Sequence, residues 1–310
     1  MNLAKYDPVS FGRGFVYRRN LLYVEATSNE LDEEDVYHAI MFRILDKEWG
    51  HWTIENRITS HCVFDSDSGR RTVMSMGIDG RIQIADGSPT FRWEVVDTGN
   101  EAPSILCQLT TMRIIEKHIY VAGMARQVYR RSIFGNQWKK VDHGVFVPKN
   151  SLEIVGFNAI DGLHEKDIYA VGLLGQIWHY NGVQWRQLDS PTNVKLECVR
   201  CVTPNLVFIG GNNGIIIKGN KNEWEILENG LTEDTFWGME YFLNSLYLST
   251  DRSSIFKLED NEIVSVDLNL GEEISTYSLH SNDGILLSVG PNDITVFDGN
   301  QWEKIKLPTS

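Results

Sequence analysis

Short apolar runs alternate with polar turns along nearly the whole chain, and no stretch of ten or more residues carries the 3.6-residue periodicity of an amphipathic helix. The clearest set of runs covers residues 196–202, 206–211, 215–218 and 223–227, with turns at Pro204-Asn205, Asn212-Asn-Gly214 and Asn220-Lys-Asn222. Each run has strand length, and each turn holds residues that accept positive φ or fix it. Similar sets follow at 245–250, 254–258 and 262–266, and at 284–290, 294–298 and 301–305. A large apolar residue recurs in the last run of each set, at Trp52, Trp93, Trp138, Trp185, Trp224, Ile263 and Trp302, and the last four lie 39 residues apart. Seven units of about 40 residues, each with four short strands, predict an all-β, seven-bladed propeller.

The chain opens with a first-strand pattern at 10–17 and closes with a fourth-strand pattern at 302–306. Every blade is therefore expected from contiguous sequence, and the propeller closes without a swapped strand. Side-chain packing between blades 1 and 7 would then seal it, which makes that seam the expected first place to open. The first blade is the least regular, because an acidic insertion at 31–36 separates the runs at 21–25 and 37–43. All-β closed architectures run long as one unit, so a single domain over residues 1–310 is expected.

The string Asp167-Ile-Tyr-Ala-Val-Gly172, followed by Gly175-Gln-Ile177, Tyr180-Asn-Gly182 and Trp185, resembles a group of bacterial β-propeller repeats. Their units read D-φ-Y-A-V-G, then G-x-I, then Y-D/N-G-x-x-W. Residues 118–138, 167–185 and 284–302 match by letters, and the other units match by spacing. No unit has the Gly-His and Trp-Asp pair of WD40 repeats, and none has the sialidase-type Asp box. The resemblance implies architecture and no single activity, because propellers host enzymes, lectins and scaffolds.

Charge narrows the range of partners. Lys and Arg number 29 against 42 Asp and Glu, a net charge of −13. Such a balance disfavours nucleic acid and anionic membrane and favours a basic protein partner or cations. The first ten residues lack the apolar core of a secretory signal, and no apolar run reaches the roughly 18 residues that span a bilayer. A soluble, cytoplasmic protein, monomeric on its own, is expected. Cys62, Cys107, Cys198 and Cys201 fall in first-strand runs, where small apolar side chains suit the crowded axis. The C-x-x-C at 198–201 sits in a strand, where positions i and i+3 point to opposite faces, so buried thiols are expected rather than a metal or redox site.

Candidate chemistry is sparse. Asp65-Ser-Asp67-Ser-Gly69 begins like a calcium loop, but position 12 is Met76 instead of Glu, so a polar hairpin turn is the better reading. His38, His51, His61, His118, His143, His164, His179 and His280 form no metal-ligand pair and sit in no nucleophile-elbow context. Glycines punctuate hairpins without a following helix, which leaves no phosphate cradle. No catalytic residue, metal or cofactor is therefore assigned.

What remains is charge on loops expected at one face. Asp32, Glu33, Glu34, Asp35, Glu101, Glu228, Glu233, Asp234, Glu272 and Glu273 lie in such loops, with the aromatics Phe146 and Trp237 nearby. An acidic rim around aromatic anchors suits a cationic protein partner. The first reading is a non-catalytic binding propeller, in its specific form an immunity or antitoxin protein that blocks the active site of a cationic toxin. The alternative is a carbohydrate-binding or glycoside-hydrolysing propeller with two carboxylates flanking a sugar beside Trp237.

Overall fold

A computed structural model describes residues 8–106, 108–148, 151 and 153–307. The chain is a seven-bladed β-propeller of seven four-stranded antiparallel sheets, each built from consecutive strands, so no strand is exchanged between blades. Blades 1 to 7 cover residues 9–54, 58–95, 109–140, 157–188, 196–227, 238–265 and 278–304. Among the described residues, helix is confined to one-turn pieces such as Asn29–Glu33 and Pro103–Leu106. The acidic insertion of blade 1, expected as loop, forms the first of these. Contacts divide the chain into two compact units, one holding blades 6, 7 and 1 and the other blades 2 to 5.

In the unit of blades 2 to 5, the repeated letters have specific mechanical roles. Tyr169, in the second strand Asp167–Gly172 of blade 4, is fully buried and meets Trp224 of blade 5 edge to face, with ring centroids 5.9 Å apart. Trp185 of blade 4 is buried and donates its indole N–H to the Val141 carbonyl, in the segment that follows blade 3, at 2.8 Å. Its ring stacks on Phe157 and shares a cluster with Tyr120 of blade 3. Trp138 of blade 3 reaches Glu94 of blade 2 at 3.0 Å. The anchor of one blade therefore cements it to the one before, by aromatic contact and, where the N–H is satisfied, by a hydrogen bond. Trp93 departs from the expected pattern. It stands on the outer strand Arg92–Val95, is 46% exposed, and lies under the Arg81 guanidinium.

The glycine that ends the D-φ-Y-A-V-G string is fixed by close approach, not by backbone angle. Gly172 has φ −179°, which any residue adopts, but a Cβ there would lie 2.0 Å from the Gly156 carbonyl oxygen. Gly211 repeats the contact in blade 5, where a Cβ would lie 2.3 Å from the Lys195 oxygen. The second strand must pass directly beside the segment entering the first, and only glycine fits.

The first strands of blades 3, 4 and 5 carry a buried polar link. Asp161, 4% exposed, accepts from Arg113 Nε and from the Cys201 amide, each at 2.8 Å, and lies 3.6 Å from Arg200. The expected crowding by small apolar groups is thus shared with a fully partnered carboxylate. Cys62, Cys198 and Cys201 are buried thiols outside any disulfide, and burial pushes the thiols of Cys62 and Cys198 up to about 12. Cys107 lies outside the described residues. The Asp65-to-Gly69 segment is a hairpin turn closed by the Ser66 amide on the Arg70 carbonyl at 2.9 Å.

In the other unit, blade 7 meets blade 1 through a shared apolar cluster that includes Phe11, Val16, Leu22 and Phe42 from one and Ile285, Leu287, Val289 and Ile294 from the other. Side chains dominate this seam, as expected from contiguous blades, with sparse main-chain links such as the Phe11 amide on the Pro291 carbonyl at 2.9 Å. Gly14 allows the approach, since a Cβ there would lie 2.6 Å from a Val289 methyl.

Candidate functional site at the connecting loops

Within each unit, the loops between blades and the loops between second and third strands meet at the same end of the sheets. In blades 6 and 7, the Thr276 hydroxyl donates to the Thr250 carbonyl at 3.0 Å, and Asp293 accepts from the amide and hydroxyl of Ser275 at 2.8 and 2.9 Å. In blade 5, the Asn212 amide donates to the Lys195 carbonyl at 3.0 Å. These loops hold the charged candidates, but their charges are not equivalent.

Several carboxylates already have a cation of the chain itself. Asp234 lies 3.1 Å from Arg252, and Lys304 bridges Glu272 at 3.0 Å and Asp293 at 2.7 Å. Despite its burial, the Asp293 carboxyl is held below the usual carboxylate range by the Lys304 ammonium and by the amide and hydroxyl of Ser275. Glu228, Glu233 and Glu273 are exposed. Asp32, Glu33, Glu34 and Asp35 are all exposed on the turn of helix Asn29–Glu33 and just beyond it.

That acidic turn ends in apolar groups that sequence reasoning missed. Val36 is 44% and Tyr37 51% exposed, because the third strand of blade 1 begins at Ala39 and not at Tyr37 as the pattern suggested. His38 pins the turn: its Nε2 accepts from the Ser28 amide at 2.7 Å, while Nδ1 is 2.7 Å from the Val36 carbonyl and donates to it. Leu231, 55% exposed, plays the same part between Glu228 and Glu233. No sequence signal separates these exposed apolar groups from strand residues, because both are isolated hydrophobes beside a turn.

The aromatic candidates differ from each other. Trp237 is half-buried, with its ring 5.6 Å from that of Tyr277, which also carries the Arg13 guanidinium at 5.8 Å. It belongs to the packing at the start of the first strands. Phe146, in the other unit, lies under the Lys140 ammonium at 3.8 Å, and the same ammonium is 2.9 Å from Glu101 and 3.6 Å from Asp142. The structure therefore brings Glu101 and Phe146 together through a lysine that the sequence did not single out. Among the described residues, no group of three or more His, Cys, Asp and Glu could hold a metal ion, and no helix is long and apolar enough to cross a membrane.

The fold and these loops define a β-propeller whose connecting ends combine acidic groups with exposed apolar tips. The chain is 30% identical to the immune protein Tsi7 of Pseudomonas aeruginosa, across 98% of this chain and 99% of the relative, and it belongs to that protein's family. No family model matches. Among solved structures, it is similar to YCF48 bound to D1 peptide, with a TM-score of 0.67 at 13% identity over 93% of this chain and 91% of that one. The WD40 propeller domain of Doa1 gives a TM-score of 0.67 at 9% identity over 93% and 92%. Virginiamycin B lyase from Staphylococcus aureus gives 0.63 at 11% over 82% and 85%. At such identities these likenesses report the propeller alone.

Proposed function

We propose that this chain is an immunity protein that binds a toxin and blocks it without turnover of its own, in the cytoplasm, through the loop ends of its blades. The observation that carries the reading is the end-to-end match to an immune protein at 30% identity. The net charge of −13 supports a basic partner, because acidic loops raise the encounter rate with a cationic surface.

The ion pairs refine which acids would steer. A carboxylate already held by Arg252 or Lys304 presents little net field, whereas Asp32, Glu33, Glu34 and Asp35 add four exposed charges beside Val36 and Tyr37. The turn of blade 1 then offers steering charge next to an aromatic anchor, the pairing that concentrates binding energy at interfaces. Glu228, Glu233, Glu273 and Leu231 extend the same chemistry in the loop segments flanking blade 6.

The test is co-expression of this chain with the product of the gene beside its own in a bacterial host. Restored growth and a co-purifying complex are expected. Toxicity that persists with the chain abundant and folded, or a host unharmed by that product alone, overturns the pairing. On the purified complex, reversing residues 32–35 to Lys should lower the association rate about tenfold or more at low salt with little change in dissociation, and added salt should erase most of the difference. Equal association rates would remove the blade 1 turn from the interface.

A further inference from the structure

Resting on the reading of a protein-binding loop end, we infer that Glu101, Asp142 and Phe146 form a seat for an arginine side chain of the partner, which Lys140 fills in the unbound chain. The Lys140 ammonium has Glu101 Oε2 at 2.9 Å, Asp142 Oδ2 at 3.6 Å and the Phe146 ring centroid at 3.8 Å. Two carboxylates and an aromatic face around one point make a receptor for a cation.

Lys140 is a poor match for that receptor. The Asp142 side chain is 8% exposed, and its Oδ2 is buried without a hydrogen-bond partner, since 3.6 Å is an ion contact and not a hydrogen bond. Burial also pushes the Asp142 carboxyl up to about 6. An ammonium is a point charge that reaches one carboxylate well. A guanidinium is planar, has five donors in a fixed fork, and lies flat on a ring, so it can donate to Glu101 and Asp142 together while stacking on Phe146. Exchange would satisfy the orphaned oxygen and release Lys140 to water.

The surroundings favour exchange. Lys140 ends the outer strand of blade 3, which is two residues long, Lys139–Lys140, and lies opposite Tyr129 and Arg130, with the Val141 amide on the Val128 carbonyl just beyond it at 2.8 Å. Glu101 and Phe146 sit in the loops that lead into and out of blade 3, at the end where connecting loops gather, and Glu101 is exposed. Ile105, 50% exposed in the one-turn helix four residues after Glu101, is an apolar group on the same loop.

The probes are two short capped peptides, acetyl-Gly-Arg-Gly-amide and acetyl-Gly-Lys-Gly-amide, titrated at low salt into folded protein with labelled lysines and followed by NMR. The arginine peptide should bind more tightly than the lysine peptide and should move the Lys140 side-chain signal towards that of a solvated lysine. Lys140→Ala removes the resident cation and should tighten arginine binding about fivefold. Lys139→Ala makes the same change in net charge one residue away, outside the seat, and should leave binding nearly unaltered. Glu101→Gln and Phe146→Leu, both at accessible positions, should each weaken binding about threefold. Equal effects of Lys140→Ala and Lys139→Ala, equal binding of the two peptides, or a Lys140 signal that does not respond would overturn the seat. If Lys140→Ala tightens the peptide while the chain fails to protect a toxin-expressing host, the seat stands and the immunity reading falls.

Discussion

The junction of blades 4 and 5 and the junction of blades 7 and 1 do the same job by different means. Between blades 4 and 5, single large or charged groups carry the contact: Tyr169 against Trp224, and Asp161 tied to the Cys201 amide. Blades 7 and 1, where the chain's two ends meet, are joined more broadly. A continuous sheet of aliphatic and phenyl side chains fills the interior, and the outer part opens into a groove of about 640 Å³ floored by Leu22, Ile44, Ile285 and Val296. Ion pairs span its rim, Lys47 to Glu303 at 2.9 Å and Arg19 to Asp298 at 3.5 Å. Adjacent blades in sequence can be joined by a few specific contacts because the short loop already holds them near. Two chain ends have no such tether, and distributed apolar burial acts there together with hydrogen bonds from the first strand of blade 7, His280 Nδ1 accepting from the Val16 amide at 3.1 Å and Asn282 donating to the Tyr17 carbonyl at 2.9 Å.

The contrast can be broken first at the anchors. Trp185→Ala removes a buried indole, its stacking on Phe157 and its hydrogen bond, and should lower unfolding free energy by about 3 to 5 kcal/mol. Trp224→Ala should lose about 2 to 3 kcal/mol, because that ring is half-buried and its N–H makes no hydrogen bond. Chemical denaturation of both variants checks the order, and an unchanged midpoint for Trp185→Ala would remove the anchor from the account.

A paired glycine substitution compares a glycine of the repeat with one at the 7–1 seam. At Gly172 a Cβ strikes backbone, which cannot move without shifting a strand, so Gly172→Ala should cost about 2 to 3 kcal/mol. At Gly14 it strikes mainly side-chain methyls of Val289 and Leu287, which yield by small shifts where backbone does not, so Gly14→Ala should cost less, about 1 kcal/mol. A larger loss at Gly14 would mean that the 7–1 seam is packed as rigidly as the repeat positions, and that it is not the first to open.

The smallest effect is expected at the groove rim. Lys47 and Glu303 are 85% and 58% exposed, and Lys47→Ala should change stability by less than about 0.5 kcal/mol. A loss well above that, growing at low salt, would show that charge and not apolar burial clasps the chain's ends.

Blade number, strand order and contiguous blades were all legible in the chain, because they depend on alternation within a few residues and on a repeat of that alternation. In blades 5 to 7 the strands lie within about two residues of the pattern's limits, as with 206–211 observed as Leu206–Gly211. The D-φ-Y-A-V-G letters were visible as a repeat, but their purpose was not: that Gly172 faces a carbonyl and Tyr169 faces the next blade's tryptophan depends on how sheets stack. Likewise the chain shows where its acidic residues cluster, yet only the folded arrangement puts Asp32 and Glu33 on a helical turn and separates Asp234 and Glu272, held by Arg252 and Lys304, from the exposed run at Asp32 to Asp35. Trp93 shares the anchors' spacing and still faces water. Periodicity is a local property that one stretch of chain carries by itself, whereas a pairing such as Arg113 with Asp161, 48 residues apart, exists only once separate strands have been brought side by side.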